Sequence, residues 1–127
     1  MTKDYRLQRL RVPSGWQINW NKLYEGSDPS TGDLGGSSLF AAVNEGYRFS
    51  IDVDFRPEFD PTGHYRLSII YQPWARTPSG KRQNKIPLVF GSDAEDVHFF
   101  TTRSFEELVD RLEYWLERCA GWTREGH

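Results

Sequence analysis

The stretch Tyr47-Arg48-Phe49-Ser50-Ile51-Asp52-Val53-Asp54-Phe55-Arg56, followed by His64-Tyr65-Arg66-Leu67-Ser68-Ile69-Ile70-Tyr71, decides the fold. In the first run Tyr47, Phe49, Ile51, Val53 and Phe55 alternate with polar or charged residues. A period of two places the apolar side chains on one face of a strand and the polar ones on the other. The second run repeats the pattern with Tyr65, Leu67, Ile69 and Tyr71, and only Ile70 spoils its polar face. Pro57 breaks the first run, and Asp60-Pro61-Thr62-Gly63 then offers Pro and Gly at the positions a type I turn favours. Together these features predict an antiparallel hairpin with one apolar face.

Working outward, Leu39–Val43 reads as a further short strand. In Trp16-Gln17-Ile18-Asn19-Trp20 the alternation predicts a half-buried strand with Trp16, Ile18 and Trp20 on its inner side. Leu7, Leu10 and Val12 form a shorter apolar pattern that stops at the turn signal Pro13-Ser14-Gly15. Residues 25–38 hold one large apolar side chain, Leu34, and read as a long acidic loop. Downstream, Pro73 ends the second hairpin strand and residues 76–85 form a basic loop. Ile86–Phe90 and Val97–Thr101 read as two more strands, joined by the acidic connection 91–96.

A helix begins at Ser104, which makes a capping box with Glu107, and Glu106 and Glu107 suit the positive helix end. Phe105, Leu108, Val109, Leu112, Trp115, Leu116 and Cys119 keep helical spacing along one stripe, and Gly121 is the expected stop. The fold class expected is therefore α+β: an antiparallel, meander-like sheet of about five to six strands with one C-terminal amphipathic helix packed on one face. Residues 1–127 form a single domain in this reading, since a chain of 127 residues leaves no room for a second.

The mean hydropathy of -0.70 is polar for a packed domain. The 5 Trp, 6 Tyr and 8 Phe resolve this, because each aromatic side chain buries about 150–250 Å². With 16 Lys+Arg against 18 Asp+Glu the charge is nearly balanced, which argues against a dedicated nucleic-acid binder. No apolar run has the length of a membrane span, and the first residues lack the apolar core of a signal peptide, so a cytoplasmic protein is expected. The lone Cys119 excludes an internal disulfide and sits on the apolar helix stripe, as a small buried hydrophobe would.

The charges are segregated along the chain. Residues 1–24 hold five bases and one acid, and residues 25–63 two bases and eight acids. Residues 64–92 hold five bases and no acid, and residues 93–127 four bases and nine acids. Patches of opposite sign on the surface would steer a charged partner.

Asp52 and Asp54, two apart in a strand, share a face with Arg48, Arg56, His64, Arg66 and Ser68 in this reading. Such a face serves either as cross-strand charge pairing or as a hard-cation site, and a metal-dependent hydrolase using Asp52, Asp54 and His64 is the alternative function. The cationic neighbours favour charge pairing. His98 alternates with Val97 and Phe99 and is expected on a polar face; His127 ends the chain; the three histidines lack metal-ligand spacing. With no Gly-x-Ser-x-Gly, P-loop or Gly-x-Gly-x-x-Gly, no catalytic residues, metal or cofactor are expected.

A binding surface is expected instead. Its acidic members are Asp28 and Asp33, beside Glu25, in one loop and Asp93, Glu95 and Asp96 in another. The basic loop adds Trp74, Arg76 and Arg82, beside Lys81 and Lys85. Trp, Tyr and Arg dominate interface hot spots, and this chain has twelve Arg against four Lys.

The series Arg11-Val12-Pro13-Ser14-Gly15-Trp16, Trp20-Asn21-Lys22-Leu23-Tyr24, acidic loop, Pro/Gly hairpin and Ser104-Phe105-Glu106-Glu107-Leu108 helix resembles small bacterial immunity proteins. These are the antidotes of polymorphic or contact-dependent toxins. The resemblance implies a non-enzymatic cytoplasmic protein that binds a cognate toxin domain and occludes it. The two acidic loops would jointly face a basic cleft on the toxin, without nucleic acid or membrane. A homodimeric adaptor whose sheet edge pairs with its copy is a third reading, so both monomer and homodimer remain open.

Overall fold

The structure is a computed structural model, and it describes residues 6–36, 38–83 and 85–122. Among the described residues five strands form one antiparallel sheet: β1 (Trp16–Asn21), β2 (Phe40–Asn44), β3 (Phe49–Arg56), β4 (His64–Tyr71) and β5 (Glu95–Thr102). Their order across the sheet is their order in the chain, a meander. Helix α1 (Phe105–Arg118) follows β5 and packs over β4 and β5, giving the expected α+β architecture.

From Phe49 onward the central hairpin follows its periodicity, whereas Tyr47, expected on the apolar face, lies in the turn before β3 and is 50% exposed. Phe49, Ile51, Val53 and Phe55 of β3 are buried, as are Tyr65, Leu67 and Ile69 of β4. Register pairs Ile51 with Ile69 and Val53 with Leu67 on the helix side, and Asp52 with Ser68 and Asp54 with Arg66 on the other. The turn closes through the Gly63 amide, which donates to the Asp60 carbonyl at 2.9 Å, while the Asp60 carboxylate accepts from the Thr62 amide at 2.8 Å. A Cβ at Gly63 would lie 2.6 Å from the Phe55 ring and 2.9 Å from the Arg56 carbonyl, so no other residue fits without displacement.

Leu108, Leu112 and Leu116 are the fully buried side of α1. Ser104 caps it by accepting from the Glu107 amide at 3.1 Å. The reciprocal half of the capping box is replaced: the Ser104 amide donates to the Thr102 hydroxyl at 3.0 Å. The helix ends at Arg118 and tightens into a 3-10 turn over Cys119–Gly121, three residues before the expected stop takes effect. Aromatic rings close both ends of the core. Phe49, Tyr71 and Trp122 meet with centroids 5.1–5.4 Å apart at one end, and Tyr65 touches Phe55 and Phe105 at the other.

Three further local expectations fail. Residues 86–90 form no strand, because after Pro73 the chain turns away from the sheet; Ile86 and Val89 are exposed and β5 pairs directly with β4. In β1 the register shifts between Ile18 and Trp20, so Asn19 is a bulge. Trp16 and Ile18 then oppose Asn44 and Ala42 on the helix side, whereas Trp20 opposes Ala41 on the far side. Being on the outer strand, Ile18 and Trp20 stay 43% and 47% exposed. In β5 the pairing of Leu67 with Phe100 and Ile69 with His98 turns His98 toward the helix and Phe99 outward, the reverse of the expected polar face for His98.

Candidate binding surfaces

The register places the two acidic loops at opposite ends of the sheet. The loop after β1 leaves beside Asn21 and Phe40, at the end where β3 turns into β4. There the Phe59 amide donates to the Leu34 carbonyl at 2.7 Å. Asp28 caps the short 3-10 turn Pro29–Thr31 by accepting from the Ser30 amide at 2.9 Å, and that hydrogen bond holds its carboxyl below the usual range. Asp33 is exposed on the same loop, and both residues line a cavity of about 370 Å³ with Glu25, Lys22, Tyr24 and Leu34.

The second acidic segment lies where β4 ends, with Glu95 opposite Tyr71 and Asp96 opposite Ile70. The whole length of the strands separates Asp28 and Asp33 from Asp93, Glu95 and Asp96. The five acids do not make the single surface expected of an acidic loop pair, because a loop joining adjacent antiparallel strands emerges at whichever end the first strand finishes. β1 finishes at one end and β4 at the other.

The second end is instead where acidic and basic segments meet. Gln72, 5% exposed, is the hub. Its side-chain amide donates to the Asp93 carboxylate and its side-chain carbonyl accepts from the Gly91 amide, both at 2.9 Å. Its backbone amide donates to the Arg48 carbonyl at 2.9 Å. Arg48 answers with its Nε to the Gln72 carbonyl at 3.1 Å and its Nη2 to the Pro73 carbonyl at 3.2 Å. Two guanidiniums lie over the Trp74 ring, Arg48 at 4.4 Å and Arg82 at 4.7 Å from its centroid. Arg76 braces the loop by donating to the Gly80 carbonyl at 2.9 Å, and residues 76 and 82 form an isolated bridge across it.

Arg48 is therefore not a member of the Asp52/Asp54 face. It precedes β3 in the left-handed region with φ 68 and is buried, its amide closing a turn onto the Asn44 carbonyl at 2.8 Å. The sequence signal for this was Asn44-Glu45-Gly46, a turn-prone segment that ends a strand just upstream. Arg48 and Gln72 are the residues of this surface that sequence reasoning missed, since neither position is distinguishable from a solvent-facing strand residue by alternation.

The remaining members of the charged face are where the spacing puts them. Arg66 grips Asp54 with two hydrogen bonds of 2.7 Å each, and Arg56 approaches Asp54 at 3.6 Å and Glu58 at 3.2 Å. Both Asp54 oxygens are thus engaged by a guanidinium, the arrangement of cross-strand charge pairing. His64 opposes Arg56 at the exposed end of β4. Asp52 accepts the Ser38 hydroxyl at 2.8 Å, and burial pushes its carboxyl above the usual range. Among the described residues, no group of three or more His, Cys, Asp or Glu side chains is placed to hold a metal ion.

His98 stacks on Trp115 with centroids 5.0 Å apart and lies 3.3 Å from Arg111; burial, then Arg111, lowers its pKa. Cys119 is fully buried with its thiol pushed up to about 12, which leaves it protonated and unreactive at neutral pH. His127 lies outside the described residues. No helix among the described residues is long and apolar enough to cross a membrane.

No family model, no curated protein and no solved structure matches this chain.

Proposed function

We propose that this chain is a non-enzymatic cytoplasmic binding protein that captures a cognate bacterial toxin domain and neutralises it by occlusion, as an immunity protein does. The observation that supports binding is the Arg48–Trp74–Arg82 cluster, where the loop after β4 meets the turn before β3. Two arginines hold the indole in place before any partner arrives, and Arg48 is itself anchored by two backbone carbonyls. A rigid aromatic side chain with flanking guanidinium groups has the composition of an interface hot spot, and its preorganisation lowers the ordering cost of association. Asp93, tied to the same hub through Gln72, adds a carboxylate to this end of the sheet and would make the surface selective in charge.

The test is calorimetric titration of the chain with the purified toxin domain encoded beside its gene. Binding should abolish the toxin's activity at equal stoichiometry. Arg82→Ala should weaken it by about 2 kcal/mol, while Asp28→Asn with Asp33→Asn, at the far end, should leave it unchanged. Full toxin activity in the presence of excess wild-type chain would overturn the proposal.

A further inference from the structure

The face of the sheet away from α1 carries a second surface. One transverse row crosses all five strands: Trp20 opposes Ala41, Ala41 opposes Asp52, Asp52 opposes Ser68 and Ser68 opposes Phe99. Strands spaced about 4.8 Å apart put the outer two roughly 19 Å from each other. Both ends of the row are exposed aromatic rings, Trp20 at 47% and Phe99 at 60%, and between them the side chains are short. Neither ring belongs to the buried hydrophobic core.

The centre of the row is a carboxylate held in place without a counter-ion in contact. Ser38 organises it: the Ser38 carbonyl accepts the Trp20 indole N–H at 2.7 Å, and the Ser38 hydroxyl donates to Asp52 at 2.8 Å. The neighbouring cations Arg56 and Arg66 act on Asp52 only from beyond contact distance, and their own contacts lie elsewhere. Arg66 is bidentate to Asp54, Arg56 reaches Asp54 and Glu58, and Lys22 lies over the Trp20 ring at 5.4 Å from its centroid. Among the described residues Asp52 makes no ion pair, although half-buried. A half-desolvated carboxylate between two exposed aromatic platforms has room for a cation at contact distance, which an incoming surface could supply.

We propose that the row Trp20–Ala41–Asp52–Ser68–Phe99 is a docking surface for a protein that delivers an arginine or lysine side chain to Asp52, its flanking apolar atoms resting on Trp20 and Phe99. A second copy of this chain is the poorer occupant, since a twofold axis through the row would oppose Asp52 to itself. The proposal builds on the binding reading above by naming the chemistry of the partner, and it uses a surface separate from the Trp74 stack.

Two measurements decide it. In the first, the amide and indole resonances of the chain are followed by NMR as N-acetyl-arginine-N-methylamide is added, with the citrulline analogue as the uncharged control. Saturable shifts are expected at Trp20, Asp52, Ser68 and Phe99 with the arginine compound alone, weakened about tenfold or lost in Asp52→Asn. Equal shifts with citrulline, shifts that persist in Asp52→Asn, or none along the row would overturn the proposal. In the second, the neighbouring toxin domain is titrated into wild type, Asp52→Asn and the double variant Trp20→Ser with Phe99→Ser. Equal affinity for all three overturns the docking surface and leaves toxin binding standing. No toxin binding to any of them, with the arginine compound still saturating the row, overturns the toxin reading and leaves the docking surface standing. Sedimentation of the wild type as a dimer that the double variant abolishes would assign the face to a second copy and overturn the proposal.

Discussion

β3 and β1 carry the same alternation of apolar and polar residues and reach opposite ends. Along Phe49–Arg56 buried and half-buried residues alternate without a break, whereas in Trp16–Asn21 no residue is fully buried. β3 lies between two strands, in the middle of the sheet, and its partners hold its register over eight consecutive pairs with β4. Among the described residues β1 has one neighbour, a bulge at Asn19 and no strand beyond it. Alternation reports that a segment has two unlike faces. Whether the apolar face is covered depends on what the rest of the chain brings there.

The contrast can be broken by truncating equivalent residues. Ile51→Ala, in the middle of β3 at a site without solvent contact, should destabilise the fold by about 2–5 kcal/mol in urea unfolding. A loss under 1 kcal/mol would show that the centre of the sheet is not the stability core. Gly63→Ala tests the turn that joins the hairpin. A methyl group driven against the Phe55 ring and the Arg56 carbonyl should cost about 1–3 kcal/mol, read as a lower urea midpoint at unchanged slope.

Two smaller effects sharpen the picture at its margins. Ser104→Ala removes the acceptor for the Glu107 amide and should cost about 1 kcal/mol, since the Thr102 hydroxyl serves a different group, the Ser104 amide. Asp52→Asn addresses the carboxyl raised by burial. A folded-state pKa above the unfolded one makes a stabilising contribution that is complete below the unfolded pKa and is lost as pH rises through the folded pKa. At pH 7 the wild type therefore keeps a charged Asp52 at a cost, and the amide variant should be slightly the more stable there. That advantage should shrink as pH falls through the raised folded pKa and be gone below the ordinary aspartate value of 3.8, and an advantage that grows on acidification would contradict the assignment of burial as the cause. The smallest change is expected from Ile18→Ala in β1, within about 0.5 kcal/mol, in contrast with its counterpart in β3.

The same division separates the parts of the candidate surfaces that were legible in the sequence from those that were not. Trp74, Arg82 and Asp93 stand out by residue type, and all three converge on the Gln72 and Arg48 hub. Asp28 and Asp33 stand out equally, yet they lie at the other end of the sheet, because sequence distance says nothing about which end a loop occupies until strand order is known. Arg48 passes in the sequence for a strand residue, and only its left-handed backbone turns it under Trp74. Trp20 and Phe99 carry hydrophobicity that suggests burial, and each is turned outward by the register of an outer strand.

By itself the sequence determined the elements whose causes are local. These are the β3–β4 hairpin, set by a period of two and an Asp-Pro-Thr-Gly turn, and the helix from Phe105, set by a serine cap and a leucine stripe. It also determined the pairing of Asp54 with Arg66, which follows once those strands align. Tertiary structure alone decided the bulge in β1, the absence of a strand at 86–90, the opposed positions of the two acidic segments and the position of Asp52 between two exposed rings. The reason is the range of the forces involved. Turn geometry and side-chain periodicity act within a few residues of the backbone. The covering of a face, and the company of a charge, depend on segments brought together from across the chain.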